Sequence, residues 1–216
     1  MKDSIYILLI SLLFTGCDMS SSGVAEAERE LEQRAIQEEI DDYRRTLPIT
    51  DLNHPEYVLP QDPGSAGKDE LLGIDSNDNG IRDDVEIYIY NRYKNEPNHK
   101  RVLIAIASQY AKATQKILVD PENAYDNETY KIMHDSYDCT FYWYRKYTKN
   151  LDTTAKRIEF RKSNDPIDDD ISKEIFNTYE RNKAYIEYNG ALGGKVFKDR
   201  MSKIEHCDRN INILDK

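Results

Sequence analysis

Residues 75–86 carry the side chains of this sequence that are best placed to do chemistry. Positions 1, 3, 5, 9 and 12 of this stretch hold carboxylate or amide side chains: Asp75, Asn77, Asn79, Asp83 and Glu86. Gly80 stands at position 6, where a sharp turn is needed, and the backbone carbonyl of Ile81 at position 7 supplies a further oxygen. A hard divalent cation takes about six to eight oxygen ligands, so the chain must wrap around it. The pattern therefore predicts a Ca²⁺ site formed by these residues, with Glu86 bidentate and Asp83 binding directly or through water.

The spacing resembles the Ca²⁺ loop of an EF-hand, whose ligands occupy the same positions. An EF-hand carries its apolar residue at position 8, whereas this sequence has Ile81 at position 7 and Arg82 at position 8. That register is similar to the aspartate-rich repeats of bacterial thrombospondin type-3-like proteins, with Arg82 in place of their Pro and one copy instead of a tandem array. Residues 68–74 are too few for a full entering helix, so the resemblance implies a loop followed by its exiting helix.

Three carboxylates among the predicted ligands favour a modest affinity, in the range of about 0.1 to 1 mM typical of extracellular Ca²⁺ modules. Such an affinity suits a structural ion outside the cytosol. The alternative is a turn rich in Asp and Asn that caps a helix without any metal, because the same residue types dominate turns.

Helical periodicity predicts the elements that must position this loop. It predicts helices over roughly 84–94, 98–119, 128–149 and 167–192, and an amphipathic helix over 24–47. Pro166 and the acidic run 168–170 favour a helix start over a metal site, because carboxylates interact with the positive end of the helix dipole. Strand-like alternation and repeats do not stand out. The predicted fold class is mainly α, an irregular helical domain of about five helices with one calcium-binding loop.

The N-terminal residues predict export and a lipid anchor. The apolar run 5–14 is shorter than the roughly 20 residues that span a bilayer, and it leads into Phe14-Thr15-Gly16-Cys17. This resembles the lipobox of bacterial lipoproteins, with Phe14 where the family carries Leu. The resemblance implies a signal peptide over 1–16 and acylation of Cys17, palmitate included. An ordinary secreted protein cleaved nearby is the alternative. Asp18 resembles the inner-membrane retention signal of enteric bacteria, so the expected location is a periplasm-facing anchor that leans towards the inner membrane.

Composition shifts divide the rest of the chain. Residues 17–23 are small and polar, as expected of a flexible tether. The helix 24–47 either packs on the chain's own core or forms a short coiled coil. A Pro- and Gly-rich stretch over 46–67 predicts a long loop, and residues 48–216 are predicted to form the helical domain.

Two cysteines, Cys139 and Cys207, remain once Cys17 is assigned to the anchor. In an oxidising periplasm, pairing is the economical interpretation, with two buried free thiols as the alternative. Such a bond would close a loop of about 70 residues and contribute about 4 kcal/mol by the chain-entropy model.

Charge and missing motifs restrict the function. With 30 Lys and Arg against 40 Asp and Glu, the net charge is −10, which disfavours nucleic acid as a partner. The sequence carries none of the catalytic motifs of metalloproteases, serine hydrolases or phosphate-binding loops, so we expect a non-enzyme. The predicted function is a membrane-anchored module that binds another envelope protein. A calcium-dependent hydrolase acting on cell-wall or lipid substrate is the alternative.

The stretch 137–147 is rich in aromatic side chains: Tyr137, Phe141, Tyr142, Trp143, Tyr144 and Tyr147. Helical spacing places Tyr137, Phe141 and Tyr144 on one face, which is predicted to face the core. The remaining rings either join the core or form a stacking surface for a glycan, peptide or partner protein.

Overall fold

The computed structural model describes residues 59–197 and 201–214. The predicted signal peptide, the Cys17 anchor, the tether, the helix over 24–47 and most of the 46–67 loop lie outside the described residues. Within them, seven α-helices follow one another: α1 (Asp83–Tyr93), α2 (Lys100–Ile117), α3 (Tyr130–Thr148), α4 (Thr154–Ser163), α5 (Asp169–Ile175), α6 (Tyr179–Ala191) and α7 (Ile211–Leu214). Short 3₁₀ helices cover Gly64–Lys68 and Ile204–His206, and no strand occurs in the described ranges, so the mainly α prediction is confirmed.

Helix α2 forms the centre of the core. It packs against α1, α3, α5, α6 and α7, and most of its side chains are buried. Four of the buried ones are Ala105, Ala107, Ala111 and Ala113, and such small side chains let neighbouring helices approach closely. No helix in the part of the chain that the structure describes has the length and apolar character needed to cross a membrane.

The predicted helix over 167–192 is wrong as a single element. The chain leaves the helix at Phe176 and starts α6 after Thr178, whose side chain accepts a hydrogen bond from the Arg181 N–H. The predicted start was right, because Asp168 caps α5 by accepting from the N–H groups of Asp170 and Ile171. Helix α4 was not predicted. None of its residues is fully buried, so its apolar periodicity is weak.

The aromatic stretch packs differently from the prediction. Phe141, expected in the core, is 51 % exposed, whereas Trp143 is fully buried. Trp143 lies in a cluster with Tyr147 of α3, Phe160 of α4 and His99, in which ring centroids are 4.6 to 6.1 Å apart. Rings at these distances are in contact, so this cluster is packed core that holds α4 on α3.

Candidate metal centre

The 75–86 loop is a closed turn that leads directly into α1. The Asp83 N–H donates to the Ile74 carbonyl at 2.8 Å, which brings the two ends of the loop together. Gly80 has φ of +83° and Asp78 has φ of +55°, both in the left-handed region. Gly adopts this region without steric cost, and Asn and Asp adopt it more readily than most other residues, so the Gly at position 6 serves the role predicted from the sequence.

Four of the predicted ligands lie in one hydrogen-bonded network. The Asp75 carboxylate accepts from the N–H groups of Asn79 (3.2 Å) and Gly80 (2.8 Å). Glu86 Oε2 in turn accepts from the side-chain amides of Asn77 at 3.1 Å and Asn79 at 2.8 Å. Because Glu86 is almost fully buried, these donors offset the removal of its charge from water. The structure thus brings Asp75, Asn77, Asn79 and Glu86 together around one turn.

The two other predicted ligands have different surroundings. Asp83 is buried, and its Oδ1 accepts from the Ser76 N–H at 2.9 Å. Ile81 packs its side chain into the core, and its N–H donates to Asn79 Oδ1 at 2.8 Å.

The loop carboxylates do not converge directly on one point. Among the described residues, one set of three carboxylate, imidazole or thiol side chains places its ligand atoms within 4.8 Å of one another, and that set is Asp135, Asp138 and His206. In the loop, amide side chains stand between Glu86 and the remaining oxygens. The six predicted ligands would nevertheless all supply oxygen atoms, as a hard cation requires.

Arg82 holds the exit of the loop. This guanidinium is 1 % exposed and donates to both Asp84 oxygens, at 2.6 and 3.0 Å. It also donates to the carbonyls of Glu174 and Ile175, each at 3.0 Å, and so satisfies the C-terminal end of α5. Burial would raise the pKa of Asp84, but the hydrogen bonds and charge of Arg82 bring that pKa below its ordinary value.

Arg181 of α6 holds the entry of the loop. Its guanidinium is fully buried and donates to the carbonyls of Gly67, Glu70 and Leu71 at 2.6 to 2.9 Å. Burial lowers the pKa of Arg181 to about 10, and the nearby charge of Arg82 acts in the same direction. The side chain stays protonated at neutral pH, and the carbonyl oxygens and Asn177 surround its charge.

Gly73 lies where these two arginines meet. It has φ of +65°, and a Cβ there would be 2.3 Å from Arg82 Cδ and 2.8 Å from Arg181 Nη2. Only a residue without a side chain fits this position. Neither arginine is predicted from the sequence as part of the site, because Arg82 stands where the resembled repeats carry Pro and Arg181 lies among polar residues of a predicted helix.

The predicted disulfide is present between Cys139 of α3 and Cys207. The two cysteines are 68 residues apart in sequence, with Cα atoms 4.8 Å apart. The bond ties the C-terminal segment to the middle of the domain, as predicted.

Comparison of this chain with protein-family models, with curated protein sequences and with solved structures finds no match.

Proposed function

We propose that this protein is a lipid-anchored component of a bacterial envelope that binds Ca²⁺ structurally and acts as a binding module for another envelope protein. Cys17 would carry the lipid, and residues 17–23 would tether a helical domain that faces the periplasm. The observation that carries the Ca²⁺ part is the network in which Asp75, Asn77, Asn79 and Glu86 surround the turn at Gly80.

The side-chain amides of the loop are the groups that Ca²⁺ would reorient. Asn77 and Asn79 now direct their nitrogens towards Glu86, while their oxygens accept from backbone N–H groups. Rotation of an amide about its last torsion exchanges nitrogen and oxygen at nearly the same place. Ca²⁺ would favour the oxygen-inward arrangement, which removes the Asn79 acceptor from the Ile81 N–H.

The role proposed for the ion is to stabilise the junction between loop and helices. Ile81, Asp83 and Val85 are buried immediately before or within the first turn of α1, and Arg82 binds the end of α5. An ion that binds the folded loop and not the unfolded chain stabilises the fold by RT ln(1 + [L]/Kd), about 1.4 kcal/mol at ten times Kd.

The test is Ca²⁺ titration of the soluble domain, with Glu86→Gln against Asp78→Asn. Both changes remove one negative charge from the same loop, but only Glu86 is a predicted ligand, and Asn tolerates the positive φ of Asp78. We expect one Ca²⁺ per wild-type and Asp78→Asn chain, a rise in melting temperature, and a shifted Ile81 amide resonance. Absence of heat and of any melting shift in the wild type would refute the Ca²⁺ proposal, as would an unchanged affinity in Glu86→Gln.

Exposed apolar side chains support the binding-module part. Tyr179 is 77 % exposed and Ile186 is 69 % exposed, and their seven-residue spacing places them on the same face of α6. Crosslinking in native envelope extract should recover a partner with the wild type and with Glu180→Gln, an exposed control that lies off this face of the same helix. The Tyr179→Ala/Ile186→Ala double variant and the Glu86→Gln variant should lose it. Equal recovery by all four proteins would refute specific binding through this surface.

A cavity lined by acidic side chains supports a hydrolase as the second candidate function. A cavity of about 370 Å³ beside α1 is lined by Asp62, Asp84 and Glu174, together with Lys68 and Tyr88. Asp84 is paired with Arg82, which leaves Asp62 and Glu174 as the acids for acid–base chemistry. Release of fragments from purified cell wall or phospholipid, abolished by Asp62→Asn, would favour the hydrolase over the binding module.

A further inference from the structure

A second group of side chains able to bind a metal lies beside the disulfide and includes no residue of the 75–86 loop. The ligand atoms of Asp135, Asp138 and His206 all lie within 4.8 Å of one another. His206 Nδ1 is 2.9 Å from Asp135 Oδ1, so the imidazole already faces the carboxylates. All three residues are half-buried, which leaves them accessible to an ion from solvent while limiting their motion.

The covalent structure fixes the two halves of this group against each other. Asp135 and Asp138 are three residues apart on α3 and therefore share a helix face. Asp138 precedes Cys139, and His206 precedes Cys207, so the disulfide joins the residues next to the ligands. The 3₁₀ turn at Ile204–His206 sets the direction from which the imidazole approaches.

The buried side chain of Gln109 in α2 holds the backbone at His206 and Asp208 through two hydrogen bonds. Its side-chain amide donates to the His206 carbonyl at 2.7 Å, and its oxygen accepts from the Asp208 N–H at 3.1 Å. The backbone on both sides of Cys207 is therefore held by one side chain. Ligands whose supporting residues are locked in this way are preorganised for a metal, because little entropy is lost when the ion binds.

We propose that Asp135, Asp138 and His206 bind a divalent transition metal of the Zn²⁺ class. One imidazole and two carboxylates are ligands that Zn²⁺ accepts, whereas Ca²⁺ takes a larger number of oxygens. Three protein ligands leave a fourth tetrahedral position for water. The site is chemically distinct from the 75–86 loop, and the proposal does not depend on Ca²⁺ binding there.

The experiment is titration of the disulfide-bonded domain with Zn²⁺ alone, repeated in millimolar Ca²⁺. His206→Gln and Asp138→Asn remove one ligand each from different elements. His134→Gln is the matched control, because it removes an imidazole from α3 that packs on the rings of Tyr130 and Phe197. We expect one Zn²⁺ per chain in the wild type and control, with affinity unchanged by Ca²⁺ and about tenfold or more weaker in both ligand variants.

Each other outcome overturns the proposal. No Zn²⁺ uptake by the wild type refutes the site, and so does an unchanged affinity in either ligand variant whose helical circular dichroism matches that of the wild type. Displacement of Zn²⁺ by Ca²⁺ would place the ion in the 75–86 loop instead. Failure of Ca²⁺ to bind the loop would leave the Zn²⁺ titration unaffected, so the two proposals fail separately.

Discussion

Replacing Gly73 with Ala tests the buried arginine junction that holds the 75–86 loop. The added Cβ would lie 2.3 Å from Arg82 Cδ, well inside van der Waals contact, and would force Ala into φ of +65°. Neither arginine can move aside as a surface side chain would, because Arg82 and Arg181 are both buried and hydrogen-bonded to backbone carbonyls.

The expected loss of stability is the sum of two effects. The left-handed backbone costs Ala about 1 kcal/mol relative to Gly. Displacing Arg82 breaks one or two charge-assisted hydrogen bonds to the end of α5, at about 1.5 to 3 kcal/mol each. We therefore expect Gly73→Ala to lower the free energy of unfolding by about 2.5 to 7 kcal/mol, a large fraction of the roughly 5 to 15 kcal/mol of a typical domain.

Urea unfolding followed by the fluorescence of Trp143 measures this loss, because Trp143 is the one Trp of the sequence and is fully buried. Gly64→Ala is the matched control. Gly64 has φ of +57° and nothing within 4 Å of a Cβ, so it should lose only about 1 kcal/mol. Equal losses in the two variants, measured with chelator present, would refute the packing of Arg82 and Arg181 around Gly73.

Three further changes test the disulfide, the loop and the buried tyrosines. Replacing Cys139 and Cys207 with Ser should lower the free energy of unfolding by about 4 kcal/mol, measured in urea, because the bond closes a 68-residue separation. Asn79→Asp should destabilise the Ca²⁺-free domain by about 2 kcal/mol, since a donor to Glu86 becomes a repelling carboxylate, yet should raise the Ca²⁺ affinity in titration. Tyr188→Phe should lessen the fall in stability between pH 9 and 11, followed by urea unfolding at each pH.

The sign of the tyrosine effect follows from linkage. Burial raises the pKa of Tyr188 to about 12, whereas the pKa of Tyr in the unfolded chain is the ordinary value of 10.0. Below pH 10 both states are neutral and the stabilising contribution is complete. As pH rises towards 12 the unfolded state loses its proton first, so about 1.4 kcal/mol is lost by pH 11. The exposed Tyr179 gives the control, and an equal effect of Tyr179→Phe would contradict the assignment to burial.

The disulfide variant and the Asn79→Asp variant each have a control. Wild-type protein assayed under reducing conditions should match the Cys139→Ser/Cys207→Ser variant, and a smaller loss in both would show that the unfolded chain is already restricted. The control for Asn79→Asp is Ser76→Asp, which adds the same charge at an exposed position of the loop that is not a predicted ligand. An equal gain of Ca²⁺ affinity in Ser76→Asp and Asn79→Asp would show that net charge, and not coordination, sets the affinity.

The sequence predicted those parts of the fold that depend on local chemistry. The start of α5 follows from Asp168, whose side chain accepts from backbone N–H groups two and three residues ahead. The turn at Gly80 follows from the need for positive φ. The break between α5 and α6 did not follow, because the carbonyls at the end of α5 are satisfied by Arg82, 92 and 93 residues away in sequence. A long-range hydrogen bond leaves no periodic signal in the segment that it ends.

Arg82, at position 8 of the loop, links the loop to the helices that pack around it. A Pro there, as in the thrombospondin type-3-like register, would have no donor to offer. Arg82 instead donates to Asp84 and to two carbonyls of α5, so the residue between two predicted ligands also ends a helix. One copy of the loop can then be held in place without the neighbouring repeats that a tandem array provides. The buried arginines therefore hold the two ends of the loop, while hydrogen bonds within the loop hold Asp75 and Glu86.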